Sequence, residues 1–265
     1  MNKITFINQK GGIGKTTIST NVAREIASRG FKTVFLDCDV QANASYALQS
    51  YNSNFNVYEL MTKQLNESEI FEISKLFKDN LLLIQSHNNI AQLDNCDLAA
   101  TCKNFKQNLT KLGELCDYII IDTPPTLSNN MICLLHASQY VVIPFELEKF
   151  SLLGIKSLLT TIINLRKPND NLNLDSNTDL KVLGLLVNKF NSKPRHKKEL
   201  ANIQNEFGEL LFSNYVKIRD SIAESQELHI SLKELYKQKK SSSIRQAIDD
   251  FNALTTEILT KIRAK

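Results

Sequence analysis

What this 265-residue chain lacks narrows it before any motif is read. No apolar run approaches the roughly eighteen residues that a membrane span needs. The cysteines form an odd set of five, Cys38, Cys96, Cys102, Cys116 and Cys133, with no CxxC pair. With no secretory signal at the N-terminus, they read as reduced thiols of a cytoplasmic protein. The four histidines, His87, His136, His196 and His229, show neither HxxxH nor HExxH spacing, which argues against a histidine-built metal site. Pro/Gly/Ser-rich linkers, internal repeats and low-complexity tracts are also missing. Residues 1–265 therefore read as one domain, and with 42% hydrophobic residues it can bury a large core. A formal charge of +4 neither demands nor excludes a nucleic-acid partner, so the clustering of charge matters more.

Glycine is scarce as well, eight in all, yet Gly11, Gly12 and Gly14 crowd into "FINQKGGIGKTTIS" at 6–19 between Lys10 and Lys15. Short apolar runs rich in β-branched residues recur at Ile4–Ile7, Thr33–Leu36, Leu81–Ile84, Tyr118–Ile121, Tyr140–Ile143 and Val182–Val187. Several are apolar on both faces, as strands buried in a parallel sheet are. Helical patterns lie between them. Ile18, Val22 and Ile26 repeat every four residues, and Gly30 closes that helix. Ala247, Phe251, Leu254, Ile258 and Ile262 form one stripe of a final helix. The alternation predicts an α/β fold, a doubly wound, mostly parallel twisted sheet flanked by helices.

A strand, a glycine-rich loop and a helix starting near Lys15 make the setting of a phosphate-binding loop. Gly11, Gly12, Ile13 and Gly14 let backbone N–H groups converge on an anion, and the helix N-terminus adds partial positive charge. Lys15 would reach the β- and γ-phosphates of a nucleotide, and the Thr16 hydroxyl would join a magnesium shell. One opposite-charge contact at about 4 Å is worth roughly 4 kcal/mol at an effective dielectric near 20. The usual pattern GxxxxGK[ST] asks for glycine where this chain has Gln9, so the loop is a variant. Asp37 and Asp39 close "VFLDCDVQAN" (34–43), and strand alternation turns both to one face. In "YIIIDTPPT" (118–126), Asp122 ends an apolar strand in the manner of an acid that holds magnesium through water. Ligands of such sheets gather at the C-terminal ends of the strands.

These residues resemble the ParA/MinD family of deviant-Walker P-loop ATPases, and its ParA (Soj) partition proteins most. "KGGIGKTT" is similar to the family's KGGxGKTT, "DCDVQAN" to DxDPQxN and "IIIDTPP" to IIID[AT]PP. "VVIPFELEKFSLLGI" (141–155), "LLVNKF" (185–190) and "VKIRDSIAES" (216–225) follow in the family's order. The resemblance implies ATP and Mg2+ as ligands, with Thr17 among the nucleotide contacts and Asn188 reading the adenine. It implies that Lys15 serves the chain's own nucleotide while Lys10 crosses to the nucleotide of a partner subunit in an ATP-dependent sandwich homodimer. Asp39 would orient the attacking water, and Thr16, Asp37 and Asp122 would support the metal. Val40 stands where the family usually has proline, which leaves the aim of Asp39 without its stiffened turn.

The family's N-terminal DNA-binding extension does not precede the loop, so any DNA binding is expected from the body of the dimer. Basic residues cluster late, in "KPRHKK" (Lys193, Arg195, Lys197, Lys198), at Arg219, and in "KQKKSSSIR" (Lys237, Lys239, Lys240, Arg245). They read as a phosphate-contacting surface for non-specific DNA or as a solvated face. The resemblance further implies a ParB-type adaptor that stimulates hydrolysis, nucleoid association in the ATP state, and no membrane partner. Three alternatives stay open. One is a MinD-like membrane-cycling ATPase, tested by the tail "EILTKIRAK". Another is an iron–sulfur reductase component, tested by Cys96 and Cys133, which otherwise read as buried structural thiols. The third is a non-hydrolysing scaffold.

Overall fold

The structure, a computed structural model, describes residues 1–48, 55–126, 128–147 and 152–264. The motif at 141–155 therefore lies partly outside the described residues.

All six predicted runs are strands: β1 (Asn2–Phe6), β2 (Thr33–Asp37), β3 (Leu81–Ile84), β4 (Tyr118–Asp122), β5 (Tyr140–Glu146) and β6 (Lys181–Asn188). They form one sheet in the order β3-β2-β4-β1-β5-β6, with every pairing parallel. Parallel neighbours cannot be joined by tight turns, so the connections cross over through helices. These are α1 (Lys15–Ser28), α2 (Asn43–Leu48), α3 (Val57–Thr62), α4 (Glu67–Ser74), α5 (Leu98–Leu112), α6 (Asn129–Ala137) and α7 (Leu152–Leu165). After β6 come α8 (Pro194–Phe207), α9 (Asp220–Glu227), α10 (Leu232–Lys239) and α11 (Ser242–Arg263).

Alternation along each strand divides the core between the two faces of the sheet. On one face Ile4, Phe6, Phe35, Ile120 and Val142 pack with α1, α10 and α11. On the other, Val34, Leu36, Ile119 and Ile121 meet α3, α4, α5 and α6. Val141, Ile143, Leu185 and Val187 on that second face meet α7 and α8. The predicted stripe of α11 is wholly in the core, and Ile258, Leu259 and Ile262 near its end are buried with it. The tail's apolar side is thus committed to packing rather than to a lipid surface. Gly30 sits just past the α1 cap with φ +91, the left-handed turn that the sequence assigned to it.

The cysteines follow the core reading except at one position. Cys38, Cys102, Cys116 and Cys133 are buried, whereas Cys96, expected to be buried, is half-exposed at the start of the α5 connection. Cys133 lies against Cys102 across the α5–α6 contact, and that contact together with burial raises its pKa, as befits an inert thiol.

Candidate nucleotide site

The order of the strands creates the site. β1 lies between β4 and β5, so the chain leaves β1 at a point where successive connections go to opposite sides. There the loop 7–14 leads into α1, whose N-cap Gly14 is left-handed (φ 83) with no side-chain cap and no acid in the first turn. Gly14 thus offers the first N–H groups of the helix no capping side chain, which suits an anion.

Asp37 and Asp122 end adjacent strands in direct register, and both are fully buried. Asp122 accepts the Thr16 hydroxyl at 2.6 Å and the Ser19 hydroxyl at 3.0 Å. Burial, reinforced by Asp37, nonetheless pushes the Asp122 carboxyl from its ordinary 3.8 up to about 7. Asp37 is raised in the same direction, again chiefly by burial, although Ser45 gives its Oδ2 two hydrogen bonds of 2.7 Å. Lys15 is buried as well. Desolvation lowers its pKa, and the charges of Asp122 and Asp39 oppose that shift.

Two buried carboxylates that resist ionisation, beside a hydroxyl whose proton is committed to one of them, suit a divalent cation. Among the described residues no group of three His, Cys, Asp or Glu could hold a metal ion. A cation here would complete its shell with phosphate oxygens and water.

Asp39 departs from the expectation. β2 ends at Asp37, where Cys38 N–H pairs with Asp122 O at 3.0 Å, so Asp39 stands beyond the strand in a turn. That turn holds without proline. Ala42 N–H donates to Asp39 O at 2.9 Å, Gln41 N–H to Asp39 Oδ1 at 3.0 Å, and Ser86 Oγ to Asp39 O at 2.6 Å. Val40 packs against the buried cluster around Cys38. Hydrogen bonds and an apolar side chain replace the stiffness of the missing ring.

The back of the loop is held by the end of β6. Asn188, 4% exposed, donates through Nδ2 to Ile13 O at 2.7 Å. Lys189, at φ 52, donates to Gly12 O at 3.0 Å and pairs with Glu146 at 2.7 Å. Asn188, expected to read a base, holds the loop through this bond. Thr17 accepts a hydrogen bond from Gln226 Nε2 at 2.8 Å. Lys10, in contrast to Lys15, is exposed on the rim of a cavity of about 230 Å³ lined also by Asn8, Gln9, Ile13 and Phe145.

The basic residues divide. Lys193, Arg195, Lys197 and Lys198 are exposed on the first turns of α8, on the sheet face opposite α10 and α11. Lys237, Lys239, Lys240 and Arg245 are exposed around the α10–α11 junction, where Lys239 pairs with Glu224. Arg219 does not join either surface. Its side chain is 12% exposed and forks onto Asp250 at 3.1 and 2.9 Å, with Gln246 at 2.8 Å. That spends the guanidinium on fixing α11 rather than on an outside phosphate.

A parallel sheet whose first strand opens into a lysine-bearing anion loop, with acids on neighbouring strands, is the fold and site of a P-loop nucleoside triphosphatase. Residues 1–182 match a family model described as an AAA domain. The chain is 32% identical to the Escherichia coli protein IncC over 255 residues, covering 96% of this chain and 68% of IncC. It is 32% identical to the sporulation initiation inhibitor protein Soj of Bacillus subtilis, over 69% of this chain and 71% of Soj. A plasmid partition protein of Borrelia burgdorferi solved with AMPPNP superposes with a TM-score of 0.71 at 22% identity, covering 99% and 98% of the two chains. The chain belongs to the ParA/MinD family of P-loop ATPases, in its ParA, Soj and IncC partition group.

Proposed function

We propose that this protein hydrolyses ATP to ADP and phosphate and pairs face to face through ATP. In that paired state it binds DNA without sequence preference, and so it partitions or positions a plasmid or chromosome. A ParB-type adaptor triggers the hydrolysis that releases it, and the ATP-bound form associates with the nucleoid. Residues 1–265 act in this as one ATPase domain.

The observation that supports this best is the opposite setting of the two lysines of one loop. Lys15 is buried beside Asp122 and Asp39, where it serves a phosphate chain held by its own subunit. Lys10 is exposed on the rim, where a second subunit's phosphates can reach it. Bound magnesium would neutralise the charge between the β- and γ-phosphates. Thr16, its proton committed to Asp122, keeps its oxygen lone pairs for such a cation. Asp39, half-exposed and held by its turn, orients the attacking water. Asn188, which holds the loop from the end of β6, also contacts the base.

Lys10→Ala is the test. It should keep ATP binding and lose ATP-dependent dimerisation in sedimentation with a slowly hydrolysed analogue. Dimers of parental stability in that variant contradict the shared site.

A further inference from the structure

α9 begins just after Arg219 and carries the end of the last motif read from the sequence, "VKIRDSIAES". Gln226 is the next residue, on the final turn of the helix. Its amide Nε2 donates to Thr17 Oγ1 at 2.8 Å, bridging 209 positions of sequence to the first turn of α1. Nothing in the chemistry described so far uses this bond.

A hydroxyl that accepts from an amide N–H keeps its own proton to give elsewhere. Thr17 sits in the uncapped first turn of α1, on the side of Gly14, where its Cβ lies 3.9 Å from the point a Cβ on Gly14 would occupy. Accepting from Gln226 thus biases the Thr17 proton toward whatever anion the loop holds. The bond is also braced from the far side, because Glu224 on the same helix pairs with Lys239 of α10.

We propose that Gln226 is a positioning residue for nucleotide binding, acting through Thr17 by fixing its hydroxyl as a donor to phosphate. This rests on the nucleotide-binding reading above. The polarity matters as much as the contact. Gln226→Glu preserves the shape but replaces the donor with a charged acceptor, which draws the Thr17 proton away and sets negative charge near the phosphates.

The test is titration of the full-length chain with a fluorescent ATP analogue and Mg2+, alongside melting curves without nucleotide. Gln226→Ala should weaken binding about 5-fold, the worth of one neutral hydrogen bond. Gln226→Glu should weaken it more than the alanine variant does. In a Thr17→Val background, Gln226→Ala should change affinity by less than about 2-fold, because the group it acts through is gone. Equal losses in both backgrounds, or parental affinity in Gln226→Glu, overturn the proposal. Should Gln226→Glu fail to fold, the Thr17–Gln226 cycle decides alone. A parental chain that binds no nucleotide overturns both this proposal and the reading beneath it, whereas a parent that binds while the variants match it overturns this one only.

Discussion

Gly14→Ala probes the loop at its tightest point. Gly14 has φ +83, and an added Cβ would stand 2.3 Å from Asn188 Nδ2, the atom that donates to Ile13 O. Two costs follow. A left-handed alanine costs about 1–2 kcal/mol. The displaced Asn188 amide gives up a buried hydrogen bond, worth about 1–3 kcal/mol when its acceptor is left unmatched. A small credit of about 0.4–1 kcal/mol returns from the stiffer unfolded chain. The net expectation is a loss of about 2–4 kcal/mol by urea denaturation without nucleotide. Asn188→Ala removes both the obstacle and the bond. In that background Gly14→Ala should cost only the backbone strain less the same credit, about 0–1.6 kcal/mol. The four-protein cycle should therefore show a coupling of about 1–3 kcal/mol, and additivity to within about 0.5 kcal/mol would refute the clamp.

Three further tests address other parts of the molecule. The Asp122 carboxyl is raised from 3.8 to about 7, so the folded chain holds a proton there that the unfolded chain has lost. Its stabilising effect is complete below about pH 4 and disappears as the pH rises through about 7. Asp122→Asn without Mg2+ should therefore match the parent near pH 4 and exceed it at pH 8 by up to about 4 kcal/mol, and parallel stability–pH curves would contradict the buried-acid account. Charge reversal of Lys240 and Arg245 should abolish ATP-dependent retention on DNA and leave dimerisation intact; undiminished retention removes that corner from the interface. Arg219→Ala should lose about 1–3 kcal/mol of stability. Exchanging Arg219 and Asp250 should restore much of it, and a variant as stable as the parent would return Arg219 to the DNA-contacting set.

Most of the sheet was legible because burial on both faces leaves unbroken apolar runs, and the six runs became the six strands. The loop was legible because Gly11, Gly12 and Gly14 stand between lysines directly after one of them. Asp39 was placed by extending alternation two residues past Asp37, but the ladder ends there and the chain turns. Ser19 could have been found from its place one helical turn after Thr16. Gln226 could not, since it reaches the site from 209 positions away and leaves no local pattern. Arg219 looked like one more surface cation because its partner, Asp250, lies 31 positions away on another helix.

The clamp on the loop also carries a consequence for biosynthesis. Asn188 emerges from the ribosome 175 positions behind Ile13. At about 5–20 residues per second, the nascent chain carries an unlatched phosphate cradle for roughly 9–35 s. Fragments ending before β6 keep every signature lysine and glycine yet lack the latch, so they should take up nucleotide poorly however well their own strands form.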